Sequence, residues 1–578
     1  MIENGPGDKR PAREKNASCK DVDALEEAEI VARKLLRINP KNSKILSSLG
    51  LILMEKKAFG SALEVFHSAL QIDPNNYDYQ SKIVRAAIAS AEDAVSQDRC
   101  DLARLALELV LELFPDHHEI LCHLSFVHTE IEDYSESLLL AERAIGLAPY
   151  HPHPHDVKGL ALTGLGRFED AIESFNTSIE QDNSYLPAKI NCGSCLLQIK
   201  RNEEAASLFK DVLRSKPNNH QALNNLGLAY GADAKFSLAE EEFRRALKVK
   251  PDYAEAHFNL SRVLLMQGNY REGWDENEWR WKCKQFPSTF REFPYTMWAG
   301  ENIQGKTILV WSEQGIGDEI MFAHPIPDLI SEGANIVLEC GERLVSVFSR
   351  SFQNTLVVPR ENPPHESIEN QGINYQIPAA SLCKFFRDSK KSFAKAHRPY
   401  LTACPHRIKK FHERYSELGP GPLVGICWRS GNVNVGEERS VPLSLWEKIL
   451  TQDRCRFVSL QYGSIQKEIK HVKPFIKDRL YIDQTVNPFQ NVEDWFAQIA
   501  VMDLVISVDN STIQVSGSQG VTTWTLINYN PEWRFGRDGK HHDWHNSVSV
   551  YRQKSPGDWN LILKELGDDF SRWHQSYY

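Results

Sequence analysis

Two hydrophobic patterns divide the 578-residue chain. From residue 21 to about residue 284, small and large apolar residues return on one helical face and the whole pattern recurs at a fixed interval. That predicts a stack of paired helices. Prolines mark the interval: Pro40 to Pro74, Pro115 to Pro149 and Pro217 to Pro251 are each 34 residues apart. Pro149 to Pro217 is 68 residues, with Asn183 at the expected midpoint. From about Trp298 short apolar runs alternate with helical stretches, which predicts parallel sheets. A first set of strands is expected at 307–311, 335–338, 356–358 and 374–377. After a polar, proline-containing connection at 400–422, a second set is expected at 423–428, 456–461, 480–482, 504–508 and 522–527. Helices of the second set are expected near 442–450, 491–501, 511–519 and 557–566.

A 34-residue period with proline after the second helix is the tetratricopeptide pattern. Counting back from Pro251 gives Gly227, Ala239 and Ala246 at small positions, with Tyr230 and Phe243 as large partners. Other units give Gly50, Ala62, Phe66 and Ala69, then Gly159, Ala171 and Phe175, then Gly193, Ala205 and Phe209. Small residues let the helices approach, and large ones fill the gaps between units. The 41 residues from Pro74 to Pro115 predict one pair longer by about two turns. With partial units at each end, about seven repeats are expected. Trp274, Trp279 and Trp281 read as a capping helix that docks the repeats onto the next domain. The concave face of such an α-solenoid suits a protein or peptide ligand. The expected organisation is a disordered leader (1–20), a solenoid (21–284), and two α/β lobes (285–418 and 419–578).

Composition narrows the function classes. A net charge of −10 and no basic tract argue against a nucleic-acid partner. No apolar run reaches 18 residues, so no transmembrane span is expected. Eleven cysteines without a framework, behind a polar N-terminus, imply reduced thiols and a cytoplasmic location. Cys192-Gly-Ser-Cys195 falls on helix-packing positions and reads as packing rather than a redox pair. His151-Pro-His-Pro-His155 alternates as a metal site might, but no cysteine or acid is close in sequence and an inter-repeat turn is due there.

Candidate chemistry centres on Lys306-Thr-Ile-Leu-Val-Trp-Ser-Glu-Gln-Gly-Ile-Gly-Asp-Glu, a strand, a glycine turn and a helix start. It is not a dinucleotide fingerprint. Ile320 stands where the third glycine belongs, and Asp318 and Glu319 would repel a pyrophosphate. A carboxylate held by the loop Gln314, Gly315, Gly317 suits Asp318 to take a proton from a hydroxyl, or simply to favour the helix dipole. In the second lobe Asp509, Asn510, Ser511 and Thr512 open a helix that includes Gln514, and they suit an anion site, with capping the simpler role. Arg429 and Ser430 follow the first strand of that lobe and Arg439 lies a loop away. Either arginine suits charge on a departing phosphate, or a surface ion pair. Gln461-Tyr-Gly463 ends the next strand where a nucleoside could be touched, and the aromatic loop Pro531–Gly536 suits stacking on a sugar or base.

Repeats followed by Gly-Ile-Gly-Asp-Glu and Ser-Val-Asp-Asn-Ser-Thr resemble the bacterial repeat-containing glycosyltransferases, whose catalytic part is similar to the GT-B heptosyltransferases of family 9. Gly425-Ile-Cys-Trp-Arg-Ser-Gly, Val458-Ser-Leu-Gln-Tyr-Gly and Tyr551-Arg-Gln-Lys-Ser-Pro-Gly-Asp-Trp extend the resemblance over 35–572. It implies a GT-B fold of two Rossmann-like lobes and Asp318 as general base. It places the donor motif on 509–514, with Gln514 where the family has histidine, and Arg429 nearest the family's phosphate-binding basic residue. It also implies metal-independent, inverting transfer from a nucleotide sugar, with no other cofactor, to a protein hydroxyl. Flagellin or another surface protein is the acceptor by analogy. The alternatives are an inactive repeat scaffold, which Gln514 favours, and an O-GlcNAc-transferase-like enzyme, which shares the layout but few catalytic residues.

Overall fold

Small residues opposite large ones set the spacing of the helix pairs. In the computed structural model, which describes residues 12–396, 398–432 and 435–577, the helix Ala12–Ile38 precedes seven helix pairs. The pairs run from Ser43–Glu55 with Phe59–Ile72 to Ala254–Gln267 with Tyr270–Asn277. Residues 1–11 of the expected leader lie outside the described residues, and 12–20 belong to the first helix rather than to a disordered segment. The long interval appears as expected: Tyr77–Ser96 has 20 residues where Ser43–Glu55 has 13. Side chains of Asn42 and Asn76 accept hydrogen bonds from first-turn amides, closing the starts of their helices.

A Cβ on Gly50, Gly159 or Gly193 would stand 2.5, 2.4 or 2.6 Å from the ring of Phe66, Phe175 or Phe209. Each ring is buried and fills the space its glycine leaves. Gly159→Val is therefore expected to destabilise its repeat by about 1–3 kcal/mol through overpacking. Hydrogen exchange of the Pro152–Gly164 amides measures this, and unchanged protection would refute it.

The chain forms two compact units, Met1–Pro217 and Asn218–Tyr578. The second unit begins inside the repeats, not at the expected 284/285 boundary, and contains the last two helix pairs with both sheets. One sheet holds β1 (Thr296–Met297), β2 (Thr307–Trp311), β3 (Asn335–Cys340), β4 (Leu356–Pro359) and β5 (Tyr375–Pro378) in the order β1-β5-β2-β3-β4. The other holds β6 (Leu423–Cys427), β7 (Arg456–Ser459), β8 (Leu480–Tyr481), β9 (Leu504–Val508), β10 (Thr523–Ile527) and β11 (Val548–Arg552), ordered β11-β10-β9-β6-β7-β8. Every pairing between these strands is parallel. Apolar β6, and β9 with Ser507 as its one polar residue, are buried along their whole length, as a sheet covered on both faces requires. Nine strands lie where expected; β1, β11 and the helix Gln466–Ile476 were not anticipated.

The tryptophan segment joins repeat helices to sheets within this unit. Trp274 is buried, donates to the Arg387 carbonyl at 2.8 Å, and meets Trp533 and Trp544 edge-on. Arg280, fully buried, forks onto both oxygens of Glu313 at 2.8 Å and also bonds Glu278, Ser381 and the Asn277 carbonyl. Glu313 immediately precedes the glycine loop at Gln314 and Gly315, so this ion pair fixes where the loop leaves β2.

Candidate active site

The carboxyl ends of β2, β6 and β9 bring loops from both sheets around a cavity of about 190 Å³. Its lining includes Gly317 and Asp318 from the first sheet, and Ser430, Arg439, Asp509, Asn510, Ser511 and Gln514 from the second. The close approach depends on Gly317: a Cβ there would already touch the Cβ of Ser511 at 3.4 Å. Gly315 precedes the helix Ile316–Phe322, and its carbonyl accepts the amides of Asp318 and Glu319 at 2.9 Å. This turns the Asp318 carboxylate toward the cavity. Glu319 points the other way, is buried, and accepts the Gly341 amide at 2.7 Å. Burial pushes its carboxyl up, against the pull of that amide and Arg360.

The remaining expected residues divide by orientation. Gln314, with φ +65°, donates its amide to Ser288 and lines a separate 720 Å³ cavity on the first sheet's side. Arg429 turns away from the Asp318 cavity to Glu468 (3.3 Å) and the Ser464 carbonyl (3.0 Å), which corrects the expectation that it faces the donor phosphate there. Gln461 is spent on the main chain: its Oε1 accepts the amides of Trp428 and Arg429. Asn510, rather than Asp509 or Ser511, caps the helix Ser511–Ser518, taking the Thr512 amide at 2.9 Å. Thr512 itself is fully buried and lies outside the cavity lining. Gln514 is hydrogen-bonded at 3.1 Å to Nε2 of His545, and a Cβ on Gly517 would strike that histidine's ring at 2.4 Å.

Among the described residues lining this cavity, Asp318, Arg439, Asp509 and Arg534 are each in an ion pair. Arg439 sits between Asp509 (3.2 Å) and Glu532 (2.5 Å), and Arg262 reaches the other oxygen of Glu532 at 3.4 Å. Arg534 donates to Asp318 at 3.2 Å. Burial raises the Asp509 carboxyl, offset in part by Arg439 and Arg534. Burial also raises Glu532, yet Arg262, Arg534 and Arg439 outweigh it and bring the group down to about 2. The loop expected to stack aromatics on a ligand does the reverse. Trp533 packs on Trp274 and Trp544 and, with Glu532 and Arg439, lines a separate cavity of about 290 Å³, Phe535 is buried, and Arg534 lines the Asp318 cavity. Glu532, Arg534 and His545 are the members that sequence reasoning missed. The alternation of charge and aromatic in Glu532-Trp-Arg-Phe was the available signal: Trp533–Phe535 form a 3-10 turn, whose successive side chains leave in different directions.

Elsewhere, Cys192 and Cys195 are buried, and burial pushes Cys192 up to about 12, as packing positions require. His153 is held down to about 3 by burial against His123. Among the described residues no three histidine, cysteine or acidic groups converge on a metal position. No helix among them is long and apolar enough to cross a membrane.

Tetratricopeptide-repeat families match residues 162–226 and 224–273. Protein FlbA of Caulobacter vibrioides is 26% identical over 561 residues, covering 88% of this chain and 92% of that protein. The probable UDP-N-acetylglucosamine–peptide N-acetylglucosaminyltransferase SPINDLY of Solanum lycopersicum is 28% identical over 103 residues, covering 18% of this chain and 11% of that protein. Among solved structures, a tetratricopeptide repeat protein from Parabacteroides merdae gives a TM-score of 0.35 at 16% identity, covering 43% of this chain and 96% of that one. The Cut9–Hcn1 hetero-tetramer of APC/C gives 0.34 at 16% identity, and the chain spans 42% of itself and less than half (46%) of that structure's chain.

Proposed function

We propose that the chain is an inverting GT-B glycosyltransferase that moves a sugar from a nucleotide donor to a hydroxyl of a polypeptide held by the repeats. The observation that carries this is the cavity in which Asp318 from one sheet meets Arg439 and the start of the helix Ser511–Ser518 from the other. Two parallel sheets with their carboxyl ends on one cleft support the GT-B reading. Asp318 takes the hydroxyl proton as the acceptor oxygen attacks the anomeric carbon. The bond from that carbon to the donor phosphate breaks through an oxocarbenium-like state, and its electron pair leaves on the phosphate. The amides at the helix start and Arg439 meet that charge. A neighbouring 720 Å³ cavity shares Tyr462 with the first and is lined by Ile465, Lys470, Lys473 and Phe489, which suits a nucleoside stacked on an aromatic ring. SPINDLY, a probable UDP-N-acetylglucosamine–peptide N-acetylglucosaminyltransferase, is in keeping with a protein acceptor. Flagellin or another surface protein remains the acceptor by analogy.

A second reading, a repeat scaffold with an inactive cleft, draws on Gln514 and its bond to His545. Calorimetric titration of the full chain with a panel of nucleotide sugars separates the two. An enzyme binds one of them with Kd of about 1 µM–1 mM. Binding to none would establish the scaffold.

A further inference from the structure

We propose that Arg534 is a donor-phosphate ligand held in reserve by Asp318: in the empty site the guanidinium pairs with the carboxylate, and a bound diphosphate takes the guanidinium over and releases the carboxylate. This rests on the glycosyltransferase reading and specifies when its base becomes available.

The arginines of the cleft are not equivalent. Arg439 is shared by Asp509 and Glu532, and Glu532 is anchored again by Arg262. Arg534 has fewer short contacts: one 3.2 Å bond to Asp318, with the charges of Glu532 and Asp509 also attracting it, and an Nε that is buried with no hydrogen-bond partner among the described residues. Its backbone is fixed, because Trp533 is packed between Trp274 and Trp544, and Phe535 is buried on the other side. Only the guanidinium is left to move, and it lines the same cavity as Ser511 and Asn510. A diphosphate there offers more charge and several acceptor oxygens, so it outcompetes a single carboxylate for the fork of N–H groups.

The consequence is an order of events. While Arg534 donates to Oδ1 of Asp318, that oxygen is occupied and is not presented to an acceptor hydroxyl. Donor binding frees that oxygen and removes the competing guanidinium, so the whole carboxylate is available only once the donor is in place.

The test uses inorganic pyrophosphate titrated calorimetrically into the full chain as wild type, Asp318→Asn, Arg534→Gln and the double variant. Arg534→Gln is expected to weaken binding about 10–100-fold, the range of a charge-assisted hydrogen bond, with Arg534→Lys between it and wild type. Asp318→Asn is expected to tighten binding about 10-fold, and this gain is expected to vanish when Arg534 is already glutamine. If Asp318→Asn tightens binding equally in both backgrounds, the carboxylate merely repels the anion and the exchange is overturned. Unchanged affinity in Arg534→Gln or in Arg534→Lys overturns it as well. Failure of wild type to bind pyrophosphate would remove the anion site and the glycosyltransferase reading together. Binding without coupling removes only the exchange.

Discussion

Under the proposed glycosyltransferase function, Asp318→Asn is expected to lower the transfer rate by about 10²–10⁴-fold, the contribution of one general base. The substitution preserves shape and still offers an oxygen to Arg534, so the loop geometry is kept while the proton acceptor is lost. Initial rates at saturating donor and acceptor measure the loss. Because the amide no longer pairs strongly with Arg534, donor affinity should hold or improve while turnover falls. That split distinguishes a missing base from a damaged cleft. Full turnover by the variant would end the assignment of Asp318.

Removing one partner of the Arg280–Glu313 pair is the second large expected effect. Both side chains are almost fully excluded from water, and the guanidinium spends all its N–H groups on Glu313, Glu278, Ser381 and the Asn277 carbonyl. Arg280→Met leaves the Glu313 carboxylate buried without its counter-charge, at an expected cost of about 3–5 kcal/mol. Replacing both residues with apolar ones should recover most of the loss, since no charge is then stranded. Hydrogen exchange along β2 and the following loop reads the effect locally, which suits a chain with more than one unit. A loss below about 1 kcal/mol in Arg280→Met would show that water reaches the pair. The same variant should also loosen the Asp318 loop, because Glu313 stands just ahead of Gln314 and Gly315.

The repeats were legible because their information is local and redundant: Gly50, Gly159 and Gly193 each sit under a phenylalanine sixteen residues on. Strands such as β2 and β9 were legible because each apolar run is only five residues long and rich in Val and Ile or followed by a glycine turn, too short for a helix. The short strand β1 and the helix Gln466–Ile476, which carries Pro474 inside it, lack such a pattern. In the site, Asp318, Asp509 and Ser511 were placed by topology, since strand ends on a parallel sheet converge. Orientation within a loop is decided by tertiary partners, and there the reading failed. Arg429 turns to Glu468, Gln461 folds onto the backbone of 428–429, and Trp533 packs inward. The ion pair between Arg534 and Asp318 joins positions 216 residues apart, beyond any local pattern.

The docking of repeat helices onto the second sheet's loops bears on how the molecule can be divided for study. Asn530 donates to the carbonyls of Gly231 and Ala232, and Trp274 covers Trp533 and Trp544. An expression fragment cut at residue 285 would strip those partners and expose two tryptophans beside the loop that carries Glu532 and Arg534. A fragment beginning at Asn218 keeps them and is the smaller piece worth making.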